Sequence, residues 1–314
     1  MDKEISVSDT VIEIRDLVKT YGKMNAVDGI SLSIMRGEVF AFLGPNGAGK
    51  TTTVEIIEGI RTPTKGEVRL LGFDSRKGSE KMKVRIGVLP QEFTSFDKLT
   101  VKETVDFFRS LYKNPIENED LLKMLKLGEH RKKLYQELSG GLKQRVGIAA
   151  SLVNDPEIVF LDEPTTGLDP QARQEVWAVI RKLKAQGKTI FLTTHYMEEA
   201  QELADHVAII SHGRIIAEGT VEELIERHGK GTTLEFIGPD PEMMKLVQGL
   251  GVKVSRCSSE KICVILDNKS DLLNILELVR GANMDYRGIN VRRSNLEEVF
   301  LLLTGEELIK EGEK

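Results

Sequence analysis

Gly44-Pro45-Asn46-Gly47-Ala48-Gly49-Lys50-Thr51 fits G-x-x-x-x-G-K-[ST], the spacing of a loop that wraps phosphate groups. The flanks agree with that reading. Val39-Phe40-Ala41-Phe42-Leu43 is an apolar run of strand length, and Thr52 to Ile60 has the pattern of a following helix. Glycines at 44, 47 and 49 let consecutive N–H groups turn inward on an anion, and the helix start adds a favourable dipole. In such a loop Lys50 reaches the β- and γ-phosphates, and the Thr51 hydroxyl holds Mg²⁺. The stretch predicts a nucleotide site inside an α/β domain.

Further along, Glu157 to Leu161 reads as a buried strand ending at Asp162-Glu163. Carboxylates at the carboxyl end of a parallel strand lie where α/β folds bind ligands. Asp162 is placed to hold the metal and Glu163 to polarise a water. Strand Thr189 to Thr193 ends near His195, which can serve the site or act as a hydrogen-bonded structural histidine. Ser139-Gly140-Gly141, opening a helix, has the parts of a second anion cradle: a capping hydroxyl, a glycine backbone and a helix dipole. It lies in a different region, so two chains facing each other could complete each other's sites.

With 314 residues the chain is long enough for two domains. A net charge of −5, from 44 Lys and Arg against 49 Asp and Glu, gives no electrostatic case for nucleic acid as the main ligand. No window offers the ~20 consecutive apolar residues that span a bilayer, and the acidic Met1–Thr10 does not read as a signal peptide. Cys257 and Cys263, in strand-like stretches without a nearby histidine, read as separate reduced thiols, which points to the cytosol.

Alternation over Val11–Leu17 and Ile30–Met35 predicts half-buried antiparallel strands. Tyr21, between them, could stack on a base or stand on a strand edge. Thr100 and Glu103 form a capping box opening a helix, and residues 92–155 read as a helical insertion. Trp177 reads as core packing, and Val207–Glu218 as a hairpin turning at His212-Gly213. The first domain is placed at 1–228, an α/β P-loop nucleotide-binding core with an antiparallel β subdomain and a helical subdomain. The second, at 229–314, reads as βαββαβ plus a last helix, a small α+β fold of the ferredoxin-like kind. Its tail after Gly305 reads as frayed.

Gly44–Thr51, Gln91, Leu138-Ser139-Gly140-Gly141, Ile158–Glu163, Gly167-Leu168-Asp169 and His195 stand in an order that resembles the ATP-binding cassette (ABC) ATPases, over about residues 11–228. The resemblance implies ATP and Mg²⁺ as ligands. ATP would be held by Gly44, Pro45, Asn46, Gly47, Ala48, Gly49, Lys50, Thr51 and Thr52, with Tyr21 stacked on adenine. Thr51, Gln91 and Asp162 would form the metal set. Glu163 would be the catalytic base, while His195 and Gln91 sense the γ-phosphate. Ser139, Gly140 and Gly141 would bind the ATP held by an opposing cassette, with Asp169 in the loop that bridges the two.

One departure is Leu142, where the family signature carries Gln, so any contact made by that side chain is lost. Asn295–Gly305 resembles the end of bacterial exporter cassettes that work with separate membrane subunits. The resemblance therefore implies an ATPase on the inner face of the cell membrane, paired with a second cassette, most simply a copy of itself, and with an integral permease. A soluble family member acting on DNA or ribosomes is the alternative. It fits less well, because only about 90 residues separate Lys50 from Ser139 and the chain carries one cassette.

Overall fold

The computed structural model describes residues 9–77, 80–229, 231–266 and 269–305. Most of the polar start and the tail beyond Gly305 lie outside the described residues. Two compact units divide the chain, Met1–Val221 and Glu222–Lys314.

The first unit opens with two long antiparallel strands, β1 (Thr10–Tyr21) and β2 (Met24–Met35). They run further than alternation predicted. Register shifts near Leu17 and Val18 break the period, and the added residues mix polar and apolar side chains at mostly half-buried positions. β3 (Val39–Leu43) leads through the Gly-rich loop into α1 (Lys50–Ile57). β4 (Lys65–Leu70) and β5 (Phe73–Asp74) complete a four-stranded sheet in the order β2-β1-β4-β5. A short α2 (Glu80–Lys83) precedes β6 (Ile86–Leu89).

Between β6 and β7 (Ile158–Asp162) run three helices, α3 (Val101–Arg109), α4 (Asn118–Met124) and α5 (Gly140–Leu152). The Thr100–Glu103 capping box at the start of α3 is formed as expected. Then follow α6 (Pro170–Ala185), β8 (Thr189–Thr194), α7 (Met197–Leu203), β9 (His206–Ser211) and β10 (Arg214–Gly219). The β9–β10 hairpin turns at His212 and Gly213, both at positive φ, 49° and 77°.

The second sheet has the order β10-β9-β3-β8-β7-β6 and is parallel except at β10. Its central strands are buried on both faces, which is why β3, Ile158–Leu161 of β7 and Ile190–Leu192 of β8 read as apolar runs. Period two still sorts the side chains. Phe40, Phe42, Phe160 and Phe191 join Ile12, Ile14 and Ile34 of the antiparallel sheet in one core. Val159, Leu161 and Leu192 face the helical side with Val105, Leu121, Val146 and Trp177. Leu142 packs against that helical core.

The second unit begins within α8 (Val221–His228), whose first residue is the last of unit one. It comprises β11 (Thr232–Ile237), α9 (Met243–Gln248), β12 (Lys253–Ser258), β13 (Lys261–Leu266), α10 (Lys269–Gly281), β14 (Gly288–Arg293) and α11 (Leu296–Thr304). The antiparallel sheet runs β12-β13-β11-β14, the strand order of a ferredoxin-like split βαβ fold. Phe236, Val264 and Ile262 pack with Met243 and Ile275 of its helices.

The expectation of reduced thiols is corrected here. A disulfide joins Cys257 to Cys263, with Cα atoms 5.9 Å apart. β12 and β13 pair as neighbours, Ser255 opposite Cys263, and the register shift between Arg256 and Ser258 lets Cys257 reach across. Strand adjacency, which spacing does not reveal, decides the pairing.

Candidate nucleotide site

Strand order builds the site. β3, β8 and β7 are consecutive neighbours, so the Gly-rich loop, His195 and the Asp162–Glu163 pair emerge side by side from one sheet edge. Gly49, the cap of α1, has φ 105°, and a Cβ there would come within 2.3 Å of the Ala26 carbonyl oxygen. A Cβ at Gly44 would meet the Ile210 carbonyl oxygen at 2.5 Å. The loop therefore lies directly on the β1–β2 ribbon and on β9, where no side chain fits.

Lys50 is buried. Its Nζ donates to the carbonyl oxygens of Gly44 at 2.8 Å and Pro45 at 3.2 Å, and stands 3.4 Å from Glu163 Oε1. Burial pushes its pKa down, and Glu163 partly restores it. Thr51, beside it at the start of α1, is exposed, and Thr52 is half-buried.

Asp162 is buried at the end of β7 and accepts a hydrogen bond from the Thr193 hydroxyl. Burial pushes its carboxyl up. Glu163 has the left-handed backbone φ of 48° and donates its N–H to the Thr193 carbonyl oxygen at 3.1 Å. This sharp turn swings its side chain toward Lys50. Glu163 Oε2 accepts from the Thr166 hydroxyl at 3.1 Å and lies 3.1 Å from His195 Nδ1. Burial alone would raise the Glu163 carboxyl, but His195 and Lys50 outweigh it and hold it down to about 2. Glu163 is thus an ionised, pre-aimed acceptor.

The structure brings together Lys50, Glu163 and His195, with Asp162 adjacent in sequence to Glu163. It does not bring Ser139 to them. Ser139 and Gly140 are exposed, and the Ser139 hydroxyl caps α5 by accepting from the Leu142 N–H at 3.4 Å. A Cβ at Gly141 would lie 2.6 Å from Ala172 Cβ, so the start of α5 rests against the start of α6. Among the described residues no hydrogen bond or ion pair joins Ser139–Gly141 to Lys50 or Glu163. Asp169 caps α6 by accepting from the Ala172 N–H at 2.9 Å.

Gln91 is exposed in the turn after β6. Tyr21, 39% exposed at the end of β1, has Lys19 Nζ 5.2 Å and the Arg61 guanidinium 5.7 Å from its ring centre. Sequence reading missed Thr193 and Thr166, which orient the two carboxylates. The available signal was a pair of threonines, Thr193-Thr194, interrupting an apolar strand directly before His195.

Fold and site together define a P-loop nucleotide-binding protein. A family model described as ABC transporter matches residues 27–166. Nod factor export ATP-binding protein I of Ralstonia nicotianae is 37% identical, over 96% of this chain and 96% of its own. A daunorubicin resistance ATP-binding protein of Streptomyces coeruleorubidus is 35% identical, over 96% of this chain and 98% of its own. Among solved structures, an ATP-binding subunit of an ABC transporter superposes with a TM-score of 0.63 at 29% identity, covering 70% of this chain and 94% of that one. A dimeric ATP-binding cassette in a post-hydrolysis state, bound to ADP and Pi, gives a TM-score of 0.60 at 27% identity, covering 67% of this chain and 98% of that one. The chain belongs to the ABC transporter family, as an ATP-hydrolysing nucleotide-binding subunit of the exporter type.

Proposed function

We propose that two copies of this chain close head to tail around two ATP molecules, and that hydrolysis drives export through a separate membrane permease. The observation that carries this reading is the separation of the two anion cradles. The Gly44–Thr52 loop has Lys50, Glu163 and His195 beside it, while the exposed Ser139–Gly140 cradle touches none of them within the chain. A second copy supplies the missing half to each site, with Asp169 in the loop between. The dimeric relative bound to ADP and Pi supports this assembly.

Each side chain has a task in that closed state. The Gly44–Thr52 amides and Lys50 bind the phosphates, and Tyr21 offers a face to adenine. When Lys50 turns to the phosphates, Glu163 loses a countercharge 3.4 Å away and becomes a stronger base toward the attacking water. His195, in contact with Glu163, holds its orientation and reaches the γ-phosphate. Thr51, Asp162 and Gln91 fit Mg²⁺, a hard cation that takes one or two carboxylates together with substrate oxygens. Burial disfavours the charge on Asp162, which a cation there would offset. Bound at this site, Mg²⁺ would neutralise charge developing on the phosphates.

Among the described residues no helix is long and apolar enough to cross a membrane, so the permease is the proposed anchor on the inner face of the membrane. A cavity of about 560 Å³ beside the Gln91 turn, lined by Gly87, Pro90, Phe93, Leu111 and Tyr112, can receive a short permease segment. Nearby Leu111 is 63% exposed. Relatives named for Nod factor export and daunorubicin resistance support outward transport of a drug- or lipid-like cargo. The test is purification of the tagged chain from membranes in mild detergent, with identification of bound protein by mass. A multi-span protein is expected in about a 1:1 ratio. Recovery of the chain free of any membrane protein, with full ATP turnover, would count against the reading.

A further inference from the structure

Glu199 is 0% exposed in α7, yet it belongs to no part of the site described above. It stands four residues, about one helical turn, beyond His195. One oxygen, Oε1, accepts two hydrogen bonds: from the Thr165 hydroxyl at 2.8 Å and from Trp177 Nε1 at 2.9 Å. Its other oxygen, Oε2, is buried without a hydrogen-bond partner. Burial pushes this carboxyl up.

Val176, Trp177, Ile180 and Leu203 belong to the core on this side of the sheet, while the Thr194 side chain and the Arg173 guanidinium also act on the Glu199 carboxyl and favour its charged form. By accepting from two buried donors Glu199 supports the packing here, since removing it would leave the Trp177 N–H and the Thr165 hydroxyl unpaired. Its contacts also close a circuit. Thr165 lies two residues after Glu163, and the neighbouring Thr166 hydroxyl donates to Glu163 Oε2 at 3.1 Å. That same oxygen lies 3.1 Å from His195 Nδ1. From His195 the chain runs through the first turn of α7 back to Glu199. Trp177 fixes the circuit to α6, with its indole N–H aimed at the carboxyl.

We infer that Glu199 is a positioning residue for hydrolysis, holding the Glu163–Thr166 turn against the end of β8 so that Glu163 and His195 meet in register. The inference rests on the roles proposed above for Glu163 and His195. A loosened circuit leaves phosphate binding intact, because Lys50 and the Gly-rich loop lie outside it, but misplaces the base. Errors of about 1 Å at a reacting group cost on the order of 100-fold in rate.

The test uses the full chain, with kcat measured separately from the affinity for a fluorescent ATP analogue. Thr165→Val removes the hydroxyl while keeping the shape of the side chain, and Glu199→Leu removes the acceptor. Each is expected to lower kcat by about 10- to 100-fold while nucleotide affinity changes less than about threefold. Glu199→Gln, whose amide oxygen accepts both bonds, is expected to recover most of the loss seen in Glu199→Leu. Because the tie acts through His195, Thr165→Val added to His195→Ala is expected to cost little more than His195→Ala alone. If Glu199→Leu fails to fold, Thr165→Val and its double variant decide the matter.

A kcat within about twofold of the parent chain for Thr165→Val, or losses that multiply independently with His195→Ala, would overturn the inference. An inactive Glu163→Gln beside a fully active Thr165→Val overturns the positioning role alone. Parent-level turnover in Glu163→Gln overturns the reading beneath it and the inference with it.

Discussion

Lys50 Nζ lies 3.4 Å from Glu163 Oε1, and both side chains are buried. Across this contact the proposed phosphate-binding cation and the proposed base neutralise each other. The contact partly offsets the burial that disfavours the charge on Lys50, and together with the His195 hydrogen bond it holds Glu163 at about 2 although burial alone would raise it. In the proposed closed state phosphate takes Lys50 from Glu163, which would link substrate binding to the strengthening of the base.

Glu163→Gln separates those two roles. The amide keeps the shape of the side chain and loses the base, so ATP affinity is retained while turnover falls by about 10²- to 10⁴-fold. An ATP-bound dimer should accumulate, visible by size-exclusion chromatography with ATP and Mg²⁺. A monomer with undiminished turnover contradicts the assignment.

Ser139→Arg tests whether the site is shared. The substitution fills the exposed cradle at the start of α5, leaving ATP binding to the single chain intact and stopping hydrolysis. Mixed with Lys50→Ala, it should restore about one working site per pair, measured as turnover of the mixture against either variant alone. No recovery on mixing would mean that each chain completes its own site.

Gly49→Ala tests the fit of the loop. A methyl group would have to occupy space 2.3 Å from the Ala26 carbonyl oxygen at a residue held at φ 105°. Stability should fall by at least about 1 kcal/mol and nucleotide affinity should fall with it, because the displaced amides point at phosphate. Thermal melts with and without ATP report both effects; an unchanged melting temperature would count against the close approach of the loop to Ala26.

Glu157 offers a pH-dependent signature away from the site. It receives hydrogen bonds from Arg85 and Arg36, which hold its carboxyl down to about 2 against an ordinary 4.5. A depressed folded-state pKa gives stability that is present above about 4.5 and is lost as pH falls toward about 2. Because Glu157 is 34% exposed, solvent screening limits the contribution at pH 7 to about 1 kcal/mol. Glu157→Gln should therefore melt lower than the parent chain at pH 7, with the gap narrowing below pH 4.5. A gap independent of pH would exclude the ion pair as its cause.

Much of the site was legible before the fold because its chemistry is local. The loop Gly44–Thr51 needs its glycines, lysine and hydroxyl at fixed spacing along one strand–turn–helix unit. Asp162-Glu163 stands out because carboxylates directly follow an apolar run, and Thr100 with Glu103 because a capping box spans three residues. The same locality made the β9–β10 turn readable at His212-Gly213.

Other features depend on which segments become neighbours. Cys257 and Cys263 are joined because β12 and β13 pair with a shifted register, which the spacing of two cysteines does not encode. Thr193 serves Asp162, and Glu199 gathers Thr165 and Trp177, across 31, 34 and 22 residues of sequence. Spacing and pattern alone determined that this chain carries a phosphate-loop sequence and an acidic pair at the end of an apolar strand in an α/β frame. Only the strand order β3-β8-β7 decided that Lys50, Glu163 and His195 meet, because a contact between distant segments is set by the packing of the sheet rather than by any short stretch of chain.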